Sequence, residues 1–225
     1  ESLRRELEAA ETIQQQLLVK DFSIVGEADI YAENTAHHKI GGDYYDVIPR
    51  AESGFFVCIA DVAGKGIAAA LLMSNLQANL RALILSENTL EDVVKKLHIL
   101  LMDVTQGEKF VTFFLAHVRY AKGEIDYINA GHTQHIRGDQ MTELGAMTIP
   151  LGMMDLPPFE EGHIKFDPGD LLFLYTDGLV EQMNDDGEMY GEERTKAELK
   201  VHANKSSHDI VQHFTEVYAE FAGKA

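Results

Sequence analysis

Two helical segments follow each other directly in the middle of the chain, and this order restricts the fold more than any other feature. Residues 66–85 are rich in Ala and Leu, and apolar residues recur with a 3.6-residue period over 93–101. Strand-like runs lie on both sides, at 55–60 before the pair and at 110–120 and 124–130 after it. Because helices and strands do not alternate, we expect an α+β fold with mostly antiparallel sheets.

The remaining segments complete this outline. Asn88 or Thr89 is expected to cap the second helix, and the nearly continuous apolar run at 55–60 indicates a strand buried on both faces. Such a strand implies two facing sheets with helices outside. We also expect helices over 1–18 and 206–222, and strands over 24–32, 164–166 and 171–175.

Composition restricts the partners. The chain has 225 residues and a formal charge of −18, which argues against nucleic acid and anionic membrane as primary partners. No apolar stretch approaches the ~18 residues of a membrane span, so we expect no membrane insertion. The single Cys58 lies in an apolar run and is expected to be a buried free thiol, which favours a reducing, cytoplasmic location.

Three separated aspartates, Asp43, Asp61 and Asp177, each lie where an apolar strand meets a glycine-containing turn. Carboxylates that converge on one point repel each other unless a cation neutralises them. Oxygen ligands without a nearby cysteine favour magnesium or manganese. The aspartates therefore predict a divalent-metal site.

Two metal ions would suit this set of ligands. Asp43, Asp61 and the Val62 carbonyl would hold one ion, and Asp61 with Asp177 would hold a second about 3.5–4 Å away. Water bridging the two ions would supply the nucleophile for phosphoester hydrolysis, so the three aspartates would be catalytic through metal-bound water.

Several motif residues have more than one interpretation. Asp177-Gly178 is also a common turn pair. Asp46 could be a ligand, a solvated residue or, as we favour, a hydrogen-bond acceptor that supports the ligands. His132 could be a ligand, a proton shuttle or a turn residue. The N-terminal helix could pack on the domain or end a coiled coil.

Taken in order, these motifs resemble the bacterial SpoIIE/RsbU-type serine/threonine phosphatases, a branch of the metal-dependent PPM (type 2C) family. The resemblance covers essentially the whole chain. Its motifs are Ile13–Leu18, Gly41–Asp46, Asp61–Gly66 continuing to Met73, Phe110–Thr112, Asn129–His132, Pro150–Gly152, Gly169-Asp170, Tyr175–Gly178 with Glu181 and Asn184, and Tyr190–Arg194.

The resemblance implies an α-β-β-α sandwich of two mostly antiparallel sheets, with two Mn²⁺ or Mg²⁺ ions on the ligands given above. It implies hydrolysis of phosphoserine or phosphothreonine on an anti-sigma-factor antagonist, downstream of a sensory or receiver domain. Residues 1–20 would be a switch helix that could form a homodimer, and residues 21–225 the phosphatase domain.

The sequence departs from the family pattern in two respects. Relatives carry a final aspartate in an Asp-Asp-x-Thr segment, and this sequence ends at Ala225 where that segment would start, so we expect the last strand and one metal ligand to be missing from it. The phosphate-binding arginine of the eukaryotic enzymes is also missing, with Lys65 as a candidate substitute or a solvated lysine.

These departures keep an alternative open, namely a non-catalytic relative that binds phosphoproteins. Gly41-Gly42-Asp43 also resembles a turn of cyclic-dinucleotide cyclases, but no other part of the sequence supports that function.

Overall fold

Five antiparallel strands form the larger of two sheets in the computed structural model, which describes residues 2–25, 28–34, 40–50, 54–132, 135–137, 142–145, 147–155 and 157–223. The spatial order is β1-β2-β3-β4-β7. The strands are β1 (Tyr44–Arg50), β2 (Gly54–Val62), β3 (Val111–Arg119), β4 (Glu124–Ala130) and β7 (Gly162–Lys165).

Three helices belong to the same unit as this sheet: α1 (Ser2–Leu17), α2 (Ile67–Ser86) and α3 (Leu90–Thr105). The buried residues of α2 recur every three or four positions and join the main hydrophobic core. Thr89 caps α3 and accepts a hydrogen bond from the Asp92 backbone, as predicted. The helix pair and the three flanking strands are therefore confirmed.

The α2 helix needs one correction. Among the described residues, it alone has the length and composition that a membrane span requires, contrary to our expectation. The mean hydropathy of an 18-residue window in this helix stays high because its Ala and Leu residues outweigh its scattered polar residues. Met73, Leu76 and Leu80 of this helix pack in the main hydrophobic core.

The second compact unit comprises residues 27–33, 133–145 and 166–225. Its three-stranded sheet has the order β6-β5-β8, formed by β5 (His135–Arg137), β6 (Thr142–Glu143) and β8 (Leu172–Leu174). Its helices are α4 (Asp177–Glu181), α5 (Glu192–His202) and α6 (Ser207–Ala222). Leu199, Ile210 and Phe214 form its small core.

The strand predicted over 24–32 is wrong. Residues Ser23–Val25 form a short 3-10 helix, which the Asp21 carboxylate stabilises by accepting hydrogen bonds from the backbone and hydroxyl of Ser23. Asp29 instead accepts two hydrogen bonds from Ser207 at the start of α6. The local hydrogen bonds of Asp21 and the long-range hydrogen bonds of Asp29 thus take the place of strand pairing in the described part of this segment, and residues 26–27 lie outside it.

Sequence patterns also missed several elements. Strands β1, β5 and β6 and helices α4 and α5 were not predicted. β5, β6 and α4 are short and α5 is mainly polar, whereas the seven-residue β1 contains an Asp, a Pro and an Arg that interrupt its apolar pattern. Asp43 precedes β1, so it lies before a strand, not after one.

Candidate active site

Asp43 and Asp61 lie at the same end of the β1–β2 pair, because Asp43 immediately precedes β1 and Asp61 is near the end of β2. The last pair of the register is Tyr44 with Ala60, and Asp43 and Asp61 are the next residues on the two segments. Side chains alternate between the two faces of a strand, so Asp61 points away from the face of Ala60. Both aspartates are partly exposed, whereas Tyr44 and Ala60 are buried on the other face.

Gly42 brings the chain close to the backbone of Val62. A Cβ atom at position 42 would lie 2.7 Å from the Val62 carbonyl oxygen, so only glycine fits without displacement. The Val62 carbonyl is therefore immediately beside the residue that precedes Asp43. Two carboxylates and one carbonyl are thus available within a small region, which fits the oxygen preference of a hard divalent cation.

Thr112 lies on β3, next to Asp61 of β2. It pairs with Asp61 in the β2–β3 ladder, and its Oγ1 lies 2.9 Å from Nδ1 of His132. His132 is only 2% exposed, and its backbone N–H donates to the Asn129 side chain at 2.9 Å. His132 is therefore linked to Asp61 through Thr112.

Asp46 does not lie with Asp61 and Thr112. It is two residues from Tyr44 and shares its face of β1, opposite to that of Asp43. Its fully buried carboxylate accepts a bond from the Tyr44 hydroxyl at 2.7 Å and two from Arg81 of α2 at 2.7 and 2.8 Å. These partners lie on the helix-covered face and favour a structural role for Asp46, while its expected role as a support for metal ligands stays a prediction.

Burial determines the protonation of two neighbours of Asp46. It raises the pKa of the Tyr44 hydroxyl, and it raises the pKa of the Cys58 thiol on the facing strand well above its usual range. Both groups are neutral, and the hydrogen bond to Asp46 raises the pKa of Arg81 further. Asp46 and Arg81 therefore form a structural ion pair, and Cys58 is the buried free thiol that the sequence predicted.

The loop after Asp61 carries positive charge. Lys65 is exposed between Gly64 and Gly66, as expected. The ammonium of Lys109 also lies against this loop, because a Cβ atom at Gly64 would be 3.0 Å from its Nζ. Sequence spacing gave no sign of Lys109, since both α2 and α3 lie between it and Gly64 in the chain.

Gln14 connects the N-terminal helix to the glycine pair. Its side-chain amide donates to the Gly41 carbonyl at 2.7 Å and accepts from the Gly41 N–H at 3.1 Å. In the sequence, the sign of this contact is that Gln14, a polar residue, lies on the otherwise apolar stripe of α1. The C-terminal end of α1 therefore packs on the domain, as one of the two alternatives proposed.

Asp177 belongs to the second unit, where it is the first residue of α4 and is exposed. Its assignment as a metal ligand remains a prediction.

A family profile described as Stage II sporulation protein E (SpoIIE) matches residues 51–225. The chain belongs to the SpoIIE family. Phosphoserine phosphatase RsbU of Bacillus subtilis (strain 168) is 26% identical over 216 residues, which cover 94% of this chain and 64% of RsbU. This SpoIIE-family chain thus spans less than two thirds of that relative.

Solved structures show the same fold. The SiaA-PP2C domain of Pseudomonas aeruginosa superposes with a TM-score of 0.86 at 18% identity, over 99% of this chain and 92% of that one. RsbX, solved in complex with magnesium, superposes with a TM-score of 0.63 at 15% identity, over 85% and 87% of the two chains. The predicted SpoIIE/RsbU-type family and PP2C (PPM) fold are confirmed.

Proposed function

We propose that this chain is the catalytic domain of a metal-dependent phosphatase that hydrolyses phosphoserine or phosphothreonine in a protein. The observation that carries the proposal is the β1–β2 register, whose last pair, Tyr44 with Ala60, is followed by Asp43 and Asp61 on the two segments, with the Val62 carbonyl beside Gly42. Membership of the SpoIIE family and the name of RsbU, a phosphoserine phosphatase, support the same chemistry.

Two Mn²⁺ or Mg²⁺ ions are the proposed cofactors. Asp43, Asp61 and the Val62 carbonyl are the proposed ligands of one ion, and the family motif adds Asp177 as a ligand of the other. The magnesium complex of RsbX supports a divalent ion of this class. When bound, such ions supply an activated water near neutral pH and neutralise charge on the phosphoryl oxygens.

The chain's own residues then have distinct roles. Asp43 and Asp61 hold the cation through their carboxylates. Thr112 fixes the backbone around Asp61 from the adjacent strand, and His132 contacts the Thr112 hydroxyl. Lys65 and Lys109 attract the dianionic phosphate to the loop after Asp61 in a protein whose net charge of −18 would otherwise repel it.

Substrate and regulation follow from the family. We propose an anti-sigma-factor antagonist as the phosphoprotein, a sensory or receiver domain as the regulator, and the cytoplasm as the location. The Gln14–Gly41 hydrogen bonds support residues 1–20 as the switch helix, since they connect α1 to the segment that carries Asp43. Homodimer formation through this helix would move that segment directly.

Hydrolysis of p-nitrophenyl phosphate and of a phosphoserine peptide, measured with and without Mn²⁺, tests the proposal. Asp61→Ala should abolish the Mn²⁺-dependent rate. Asp103→Ala, which removes an exposed aspartate of α3, should leave it unchanged. Full activity of the Asp61 variant would refute the assignment. Mn²⁺ binding by the wild type without any turnover would favour the non-catalytic phosphoprotein-binding module.

A further inference from the structure

A second group of potential metal ligands lies between α5 and α6, within the second unit. Glu198 and His202 are one turn apart on α5, and His213 faces them from α6. One ligand atom from each residue lies within 4.8 Å of the others. This group belongs to no motif of the phosphatase site.

Contacts within this group are close but incompletely satisfied. His213 Nε2 lies 2.6 Å from Glu198 Oε2, whereas His202 Nε2 is 3.6 Å from the same oxygen, which is longer than a hydrogen bond. Nε2 is thus the ring nitrogen of His202 that faces Glu198, and an ion bound between the two groups would take the place of the missing hydrogen bond.

The two imidazole rings lie close together, with their centroids 3.8 Å apart. Two rings at this distance, one on each helix, can direct a nitrogen each at the same ion.

We propose that Glu198, His202 and His213 form a binding site for a transition-metal dication of the zinc class. Two imidazole nitrogens and one carboxylate oxygen are a recurrent zinc ligand set that keeps a position open for water. Imidazole ligands also distinguish this site from the oxygen ligands that Mg²⁺ and Ca²⁺ prefer.

The observed distances require only small side-chain movements. Ligand atoms bound to one tetrahedral zinc ion at about 2.0–2.1 Å lie about 3.3 Å apart. The 2.6 Å pair would separate slightly, and the 3.6 Å pair would close slightly. Coordination through Nε2 of His213 moves the proton of its present hydrogen bond to Nδ1 or releases it to solvent. The ion would then connect α5 to α6.

Zinc titration of the full chain in excess Mg²⁺ tests the site, because Mg²⁺ competes for the oxygen ligands of the phosphatase centre. Calorimetry in an Asp61→Asn background should still give one zinc ion per chain. Co²⁺ in the same background should give the visible d–d absorption of a low-coordinate ion with nitrogen ligands.

Histidine variants identify the ligands. His202→Gln and His213→Gln should each weaken zinc affinity by about 100-fold or more, exceeding the 10–100-fold loss typical of residues that only support a ligand. His208→Gln, on an exposed position of α6, is the matched control and should bind as the wild type does. Glu198→Gln, which preserves side-chain size, provides the same test if a histidine variant does not fold.

Absence of zinc binding by the wild type would overturn the proposal. Equal zinc affinity of the His213 and His208 variants would also overturn it. Because the readouts are binding and absorption, neither result depends on phosphatase activity.

Discussion

Removal of the Arg81 guanidinium should destabilise the protein without removing a metal ligand. Arg81 donates two hydrogen bonds to the Asp46 carboxylate, which is 0% exposed, while 46% of the Arg81 side chain is exposed. In Arg81→Ala, the Tyr44 hydroxyl and the Val47 N–H would be the remaining donors to this carboxylate among the described residues. The variant thus contains a buried charge without its cation.

The size of the effect follows from this burial. Loss of one partner of a buried ion pair costs about 3–5 kcal/mol, and the exposure of Arg81 admits water, so we expect the lower end, about 3 kcal/mol. In a protein of this size each kcal/mol shifts Tm by about 2–4 °C, so Tm should fall by roughly 6–12 °C.

A double-mutant cycle measured by urea and thermal denaturation isolates the pair. In an Asp46→Asn background no buried charge remains, so Arg81→Ala should cost only about 1 kcal/mol there. Equal costs in the two backgrounds would refute the argument. Asp46→Asn should also keep the Mn²⁺ affinity of the wild type, whereas Asp43→Asn should lose it.

Three further predictions address the site and its supports. Gly42→Ala should weaken Mn²⁺ binding about tenfold, because its Cβ would meet the Val62 carbonyl at 2.7 Å, whereas Gly41→Ala, with nothing within 4 Å of its Cβ, should bind normally in calorimetry. Gln14→Ala should lower the free energy of unfolding by about 1–3 kcal/mol through loss of two hydrogen bonds, and the exposed Gln16→Ala should change it by less than about 0.5 kcal/mol. Burial lowers the pKa of His98 from its usual 6.5, so the unfolded state binds the proton first and stability is lost as pH falls below 6.5. His98→Gln should therefore show a shallower decrease of Tm on acidification, and an identical decrease would contradict this.

Sequence patterns predicted the elements whose signals are local. The 3.6-residue period, the Thr89 cap and the long apolar run at 55–60 each depend on neighbouring residues, and each was confirmed. The strand at 24–32 was wrong because the Asp21 side chain binds backbone locally, which an apolar count does not register.

The fold class, the family and the acidic residues available for metal chemistry can all be read from the linear order of the residues. Which of these acidic residues share a face depends on how the strands pair. Asp43 and Asp46 belong to one motif, yet Asp46 binds Arg81 on the face of Tyr44, whereas Asp43 immediately precedes β1 at the end of the β1–β2 pair that carries Asp61. Side chains alternate between the faces of a strand, and the pairing that sets this alternation joins residues far apart in the chain, so no local pattern reports it.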